Sequence, residues 1–131
     1  MTATDHAVQL VRTAALAAAD KLATDQLAFD VSEQLAITDA FLLASGANDR
    51  QVRAIVEEIE DKLRELDAKP IRREGHRDGR WVLLDYGDVV IHVQHTEERE
   101  FYALERLWRD CPQVELNLDS VPAEGVATLG E

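Results

Sequence analysis

The run RWVLLDYGDVVIHV at residues 80–93 constrains this chain more than any other stretch, because two alternating apolar segments flank a turn around Gly87 and so specify a β-hairpin. Two registers satisfy that turn. With Gly87-Asp88 as the loop, Tyr86 opposes Val89; with Tyr86-Gly87 as the loop, Asp85 opposes Asp88. Side chains alternate along a strand, so Val82, Leu84, Val89, Ile91 and Val93 share one aliphatic face in either case, and that face reads as core. The opposite face carries Trp81, Leu83, Asp85, Val90 and His92, with Asp88 or Tyr86 at the tip according to register. An aromatic ring, aliphatics and carboxylates together are the composition of an interface core with a polar rim. A helix packed over the sheet would bury Trp81 and Leu83 equally well, and the crowding of Asp85, Tyr86 and Asp88 at the turn favours the interface.

Periodicity places the remaining elements. Thr4 or Asp5 caps a first helix with Val8, Val11, Ala15, Ala18 and Leu22 at helical spacing, expected to end near Thr24. Short apolar runs at residues 27–31 and 40–45 read as strands, joined by a connection or a single turn. Asn48 and Gln51 form a variant capping box for a helix whose inner face is Val52, Ile55, Val56, Ile59, Leu63 and Leu66, and Pro70 prevents its continuation. An extended stretch at 71–74 and a turn at 75–79 lead into the hairpin. A last helix starts from Thr96 as cap, with Glu97 and Glu98 near the positive end of its dipole. Phe101, Leu104 and Trp108 fall on one stripe of it, Leu107 lies beside them, and Pro112 stops it.

The order helix, strand, strand, helix, strand, hairpin, helix predicts an α/β fold: a single-domain sandwich with a mixed β-sheet flanked by helices. The domain is expected over residues 1–110. From Asp110 onward there are five acidic residues and no Lys or Arg, so residues 111–131 read as a loosely ordered acidic tail.

The formal charge of −12 excludes whole classes of partner. Affinity for nucleic acid comes largely from cations that displace counterions along phosphates, so bare RNA or DNA would repel this chain. An acidic domain is drawn instead to basic partners, or its charge serves solubility. Lys69, Arg72, Arg73, Arg77 and Arg80 run against the trend and leave two readings, a phosphate contact or a solvated loop. No apolar run approaches the roughly 20 residues that span a bilayer, and MTATDHAVQL lacks the pattern of a signal peptide, so a cytoplasmic protein without membrane contact is expected. The lone cysteine, Cys111, excludes an internal disulfide and a Cys-based zinc cluster. His92 and His95 point to opposite faces of their strand, and neither a metal nor another cofactor is expected.

At this point the residues carry a resemblance. ITDAFLLASG with RQVRAI at 37–55, Glu74-Gly75 with WVLLDYGDVVIHV at 81–93, and REFYALERLW at 99–108 make the chain similar to the ribosomal silencing factor, or Iojap-like, family. The match runs from about residue 16 to 110 and departs at Ala40, where the family carries an aromatic ring, and at the tail. The resemblance implies a nucleotidyltransferase-like topology and binding to the large ribosomal subunit through large-subunit ribosomal protein fourteen. It further implies a block on joining of the small subunit, translation repressed under nutrient limitation, and a homodimer when the protein is free. The expected partner contact is Trp81, Asp85, Tyr86, Asp88 and His92. The competing class is a nucleotidyltransferase-like enzyme, which would hold metal ions with closely paired carboxylates. The chain has no Asp-x-Asp, so no catalytic residue is expected. A cytosolic adaptor unrelated to ribosomes is the other alternative.

Overall fold

The computed structural model describes residues 3–118. Its elements follow the expected order: α1 Asp5–Asp20, β1 Thr24–Asp30, β2 Ala40–Gly46, α2 Asp49–Arg64, β3 Arg72–Glu74, β4 Trp81–Asp85, β5 Val89–His95 and α3 Thr96–Tyr102, with a 3₁₀ turn at Leu104–Arg106. The five strands form one sheet in the order β1-β2-β5-β4-β3. β2 and β5 run parallel, and the other neighbours are antiparallel. The fold is the expected α/β sandwich with a mixed sheet.

Each side of the sheet builds its own apolar layer. Under α1 and α2, the larger layer takes Leu10 and Val11 from α1, Val52, Ile55, Val56, Ile59 and Leu63 from α2, and Leu42, Val82, Leu84, Val89, Ile91 and Val93 from the strands. The smaller layer, on the α3 side, holds Phe29, Val31, Phe41, Leu43 and Cys111, with Leu104 and Trp108 packed against it. Alanines at 14, 15, 17 and 18 of α1 are buried and let the two long helices lie close.

Both long helices end earlier than their apolar pattern suggests. α1 closes when Ala23 N–H bonds the Ala18 carbonyl and Leu22 N–H bonds that of Ala19, at 3.0 and 2.9 Å. This Schellman closure needs a left-handed residue, and Leu22 supplies it at φ 65 instead of a glycine. α2 closes alike: Ala68 bonds Leu63, Asp67 bonds Arg64, and Asp67 sits at φ 61. Pro70 therefore lies past the stop and does not cause it. At its start Asn48 Oδ1 accepts from Gln51 N–H at 2.8 Å, while Gln51 Oε1 accepts from Ala47 N–H, one residue before the usual capping-box partner.

Two expectations change on the C-terminal side. The last helix does not reach Trp108, because Ala103 takes φ 46 and breaks it after Tyr102; His95, not Thr96, caps it, its Nδ1 accepting from Glu97 N–H at 3.1 Å. The expected stripe is split, with Leu104 and Trp108 turned into the smaller layer and Phe101 left 80% exposed. Residues 111–118, expected as the start of a loose tail, instead run along β1. Asp30 N–H bonds the Pro112 carbonyl, Val114 N–H bonds that of Ala28, and Phe29 bridges Gln113. The rest of the expected tail lies outside the described residues.

Candidate partner-binding face

A tight turn sets the start of β4. Gly75, at φ 81, lies so close to Trp81 that a Cβ there would collide with the Trp81 carbonyl. The Arg53 guanidinium holds the turn from α2, donating to the carbonyls of His76 and Arg77 at 3.4 and 2.7 Å. At the far end Tyr86 N–H bonds the Val89 carbonyl at 2.9 Å, which selects the register with Gly87-Asp88 as the loop. Gly87 takes φ 87, and its N–H bonds Asp85 Oδ1 at 2.8 Å. The hairpin tip is also tied to the chain before β2: Thr38 Oγ1 donates to the Gly87 carbonyl, and Asp39 N–H donates to that of Asp88 at 2.8 Å.

With this register, Trp81, Leu83, Asp85, Val90, His92 and Gln94 share the α3 side of the sheet. Tyr86 does not join them. It shares parity with Leu84 and Val89, packs against the larger layer, and its phenol is pushed up to about 12 by burial, with Glu60 adding to the effect. Asp88 stands exposed at the tip, its carboxylate without a hydrogen bond or ion pair among the described residues. Asp85 braces the loop and lies 3.6 Å from the Arg72 guanidinium. His92 is 9% exposed, and its Nδ1 accepts from the Trp81 indole N–H at 3.1 Å. Burial depresses its pKa to about 4, so it is neutral at pH 7 and serves as a fixed acceptor.

A row of rings crosses this face. Phe101, Tyr102 and Trp81 follow one another at centroid separations of 5.0 and 4.8 Å; Trp81 contacts His92, and His92, Phe41 and Trp108 continue at 5.6 and 4.8 Å. Next to it Ile37, Thr38, Phe41, Val90, Leu104 and Leu107 line an apolar groove of about 370 Å³. Ile37 and Leu107 form its lips at 85% and 71% exposure.

One buried cation holds the cover of the face in place. Arg99 of α3 is 5% exposed; its Nη1 donates to Ser45 Oγ at 2.8 Å and its Nε to Glu105 at 3.1 Å. It thus joins α3, β2 and the 3₁₀ turn. Sequence reasoning missed Arg99 and Ile37, since nothing in an alternating charge pattern or a single isoleucine shows which one is buried and which is bare.

The basic cluster is largely neutralised. Arg72 pairs with Glu74 and Asp85, Arg73 with Glu60 at 3.0 Å, and Arg80 with Glu97 and Glu98 at 3.0 Å each. The opposite edge of the sheet is acidic: residues 22–49 contain Asp25, Asp30, Glu33, Asp39 and Asp49 and no Lys or Arg. His92 and His95 are each engaged elsewhere, through Trp81 and Glu97, and among the described residues no group of three His, Cys, Asp or Glu side chains converges as a metal site. Ala40, where the chain departs from the motif, is fully buried in the larger layer, so the missing ring belongs to the helix side and not to this face.

Residues 4–128 match the family model described as ribosomal silencing factor during starvation. Over 108 residues the chain is 44% identical to the ribosomal silencing factor of Bacillus subtilis, covering 82% of this chain and 92% of that one. It is 32% identical over 89 residues to the mouse protein named mitochondrial assembly of ribosomal large subunit protein 1, covering 66% of this chain and 39% of that one. A crystal structure of a Chromobacterium violaceum protein superposes with TM-score 0.74 at 34% identity, covering 76% of this chain and 83% of that one.

Proposed function

The chain belongs to the ribosomal silencing factor family, and from that membership we propose that it binds the large ribosomal subunit through a basic protein of that subunit, large-subunit ribosomal protein fourteen. Docked there, it covers part of the surface that meets the small subunit and keeps the two apart, repressing translation when nutrients are scarce. It acts in the cytoplasm, self-associates when free, and has no catalytic step.

The observation that carries this reading is the pairing of exposed aromatic and aliphatic side chains on the α3 side of the sheet with the unpaired Asp88 carboxylate at the hairpin tip. Apolar anchors supply binding energy at the centre of an interface, and surrounding charge of one sign speeds encounter with a partner of the other. The mouse relative, by its name, serves assembly of the large ribosomal subunit, which agrees with that choice of subunit. Trp81, Asp85, Asp88 and His92 form or support the contact. Tyr86 supports it from behind, by bracing the hairpin tip against α2.

The test follows association of separated large and small subunits by sedimentation. The protein is expected to keep them apart, and Trp81→Ala with Asp88→Ala to let them join. Subunits that join normally in the presence of the parent protein would refute the reading.

A further inference from the structure

We propose that the groove between Ile37 and Leu107 receives an aliphatic side chain of the large-subunit protein, from a segment in which a Lys or Arg beside that side chain meets Asp88. This rests on the reading above and specifies what its partner must present. The lips are exposed branched side chains at 85% and 71%, while the floor is supplied by Phe41, Val90 and Leu104. Branched aliphatics left bare at the mouth of an apolar cleft lose water contact only when a partner fills it.

Two features set the chemistry of the occupant. The floor is apolar at Phe41, Val90 and Leu104, and the imidazole beside it already has its Nδ1 taken by the Trp81 indole N–H, so an aliphatic side chain fits there better than a hydroxyl or amide that would lose its water. The surroundings select a cation. Asp88 at the hairpin tip meets Asp39 at 2.8 Å, backbone to backbone, and Asp39 belongs to a stretch free of Lys and Arg from residue 22 to 49. Arg72 is the cation that lines the groove, and it is already engaged by Glu74 and Asp85. An apolar slot beside an unpaired carboxylate therefore fits an aliphatic residue adjoining a basic one.

The experiment measures binding of the parent, Ile37→Asp, Leu107→Asp, Asp88→Ala and Ile71→Asp to purified large subunits and to ribosomal RNA freed of protein. All four sites are exposed, so the variants fold, as matched melting curves would verify, and Ile71→Asp lies outside the groove as a control. The expected result is binding at least ~10-fold weaker for each groove variant, as for an interface anchor, no change for Ile71→Asp, and a shallower salt dependence for Asp88→Ala. Groove variants that bind like the parent while Asp88→Ala weakens binding would overturn the groove assignment and leave the functional reading standing. Failure of the parent to bind subunits would remove both. Undiminished binding to protein-free RNA would overturn it in favour of a nucleic-acid contact. Groove variants that change only the mass in light scattering would overturn it in favour of a second copy of this chain.

Discussion

The same two strands, β4 and β5, present one face that is wholly covered and one that is covered only in part. Beneath α1 and α2, Val82, Leu84, Val89, Ile91 and Val93 are all at 0% exposure. On the other side Trp81, Leu83 and Val90 stay partly exposed, because α3 spans seven residues and breaks at Ala103. One hairpin thus separates two tasks: its aliphatic parity supplies stability, and its aromatic parity is left available for contact. The covered face needs only shape and apolarity. The open face needs charge and fixed rings, and it holds them with the Arg99 and His92 networks.

The largest expected effect sets the two faces directly against each other. Ile91→Ala should cost about 3 kcal/mol in urea unfolding, as for other cavities in a close-packed core, whereas Leu83→Ala, one residue away across the hairpin, should cost about 1 kcal/mol or less. Equal costs would break the comparison. Arg99→Met comes next, at about 2 kcal/mol, since it leaves the fully buried Ser45 hydroxyl without its donor. The Trp81 and Trp108 emission should change with it, while the helical signal of α1 and α2 persists.

His92 should make the open face sensitive to acid. Its folded pKa, about 4, lies below the unfolded value of 6.5, so the unfolded chain takes up the proton first. Its contribution is fully present above pH 6.5 and is lost as the pH falls toward 4. Denaturation at pH 7 and at about 4.5 should show His92→Leu losing roughly 2 kcal/mol less than the parent over that interval. An unchanged interval would mean the imidazole is not desolvated. The smallest effect sharpens the assignment of Tyr86 to the covered side. Its hydroxyl is buried without a partner, so Tyr86→Phe should stay within ~0.5 kcal/mol of the parent and bind large subunits equally well.

The covered face was legible in the residues because alternation along a strand and helical spacing report burial through local geometry alone. Asn48 as a cap, the strands at 27–31 and 40–45 and the aliphatic parity of the hairpin all belong to that class. The endings were not. Leu22, Asp67 and Ala103 adopt left-handed backbone without being glycine, a conformation that propensity disfavours and surrounding contacts enforce. From the sequence Tyr86 reads as a contact residue because its side depends on where the loop closes, and one backbone hydrogen bond to Val89 decides that.

By itself the sequence determined that this chain makes a mixed sheet flanked by helices, an acidic surface and a hairpin with one purely apolar face, since each follows from periodicity and charge counted along the chain. Only the tertiary structure decided that Ile37, Phe41, Leu107 and Trp108 meet around one groove, that Arg99 is the buried cation, and that residues 111–118 lie against β1. These depend on segments distant in sequence meeting through the parallel β2–β5 pairing, and no local pattern encodes the distance between them.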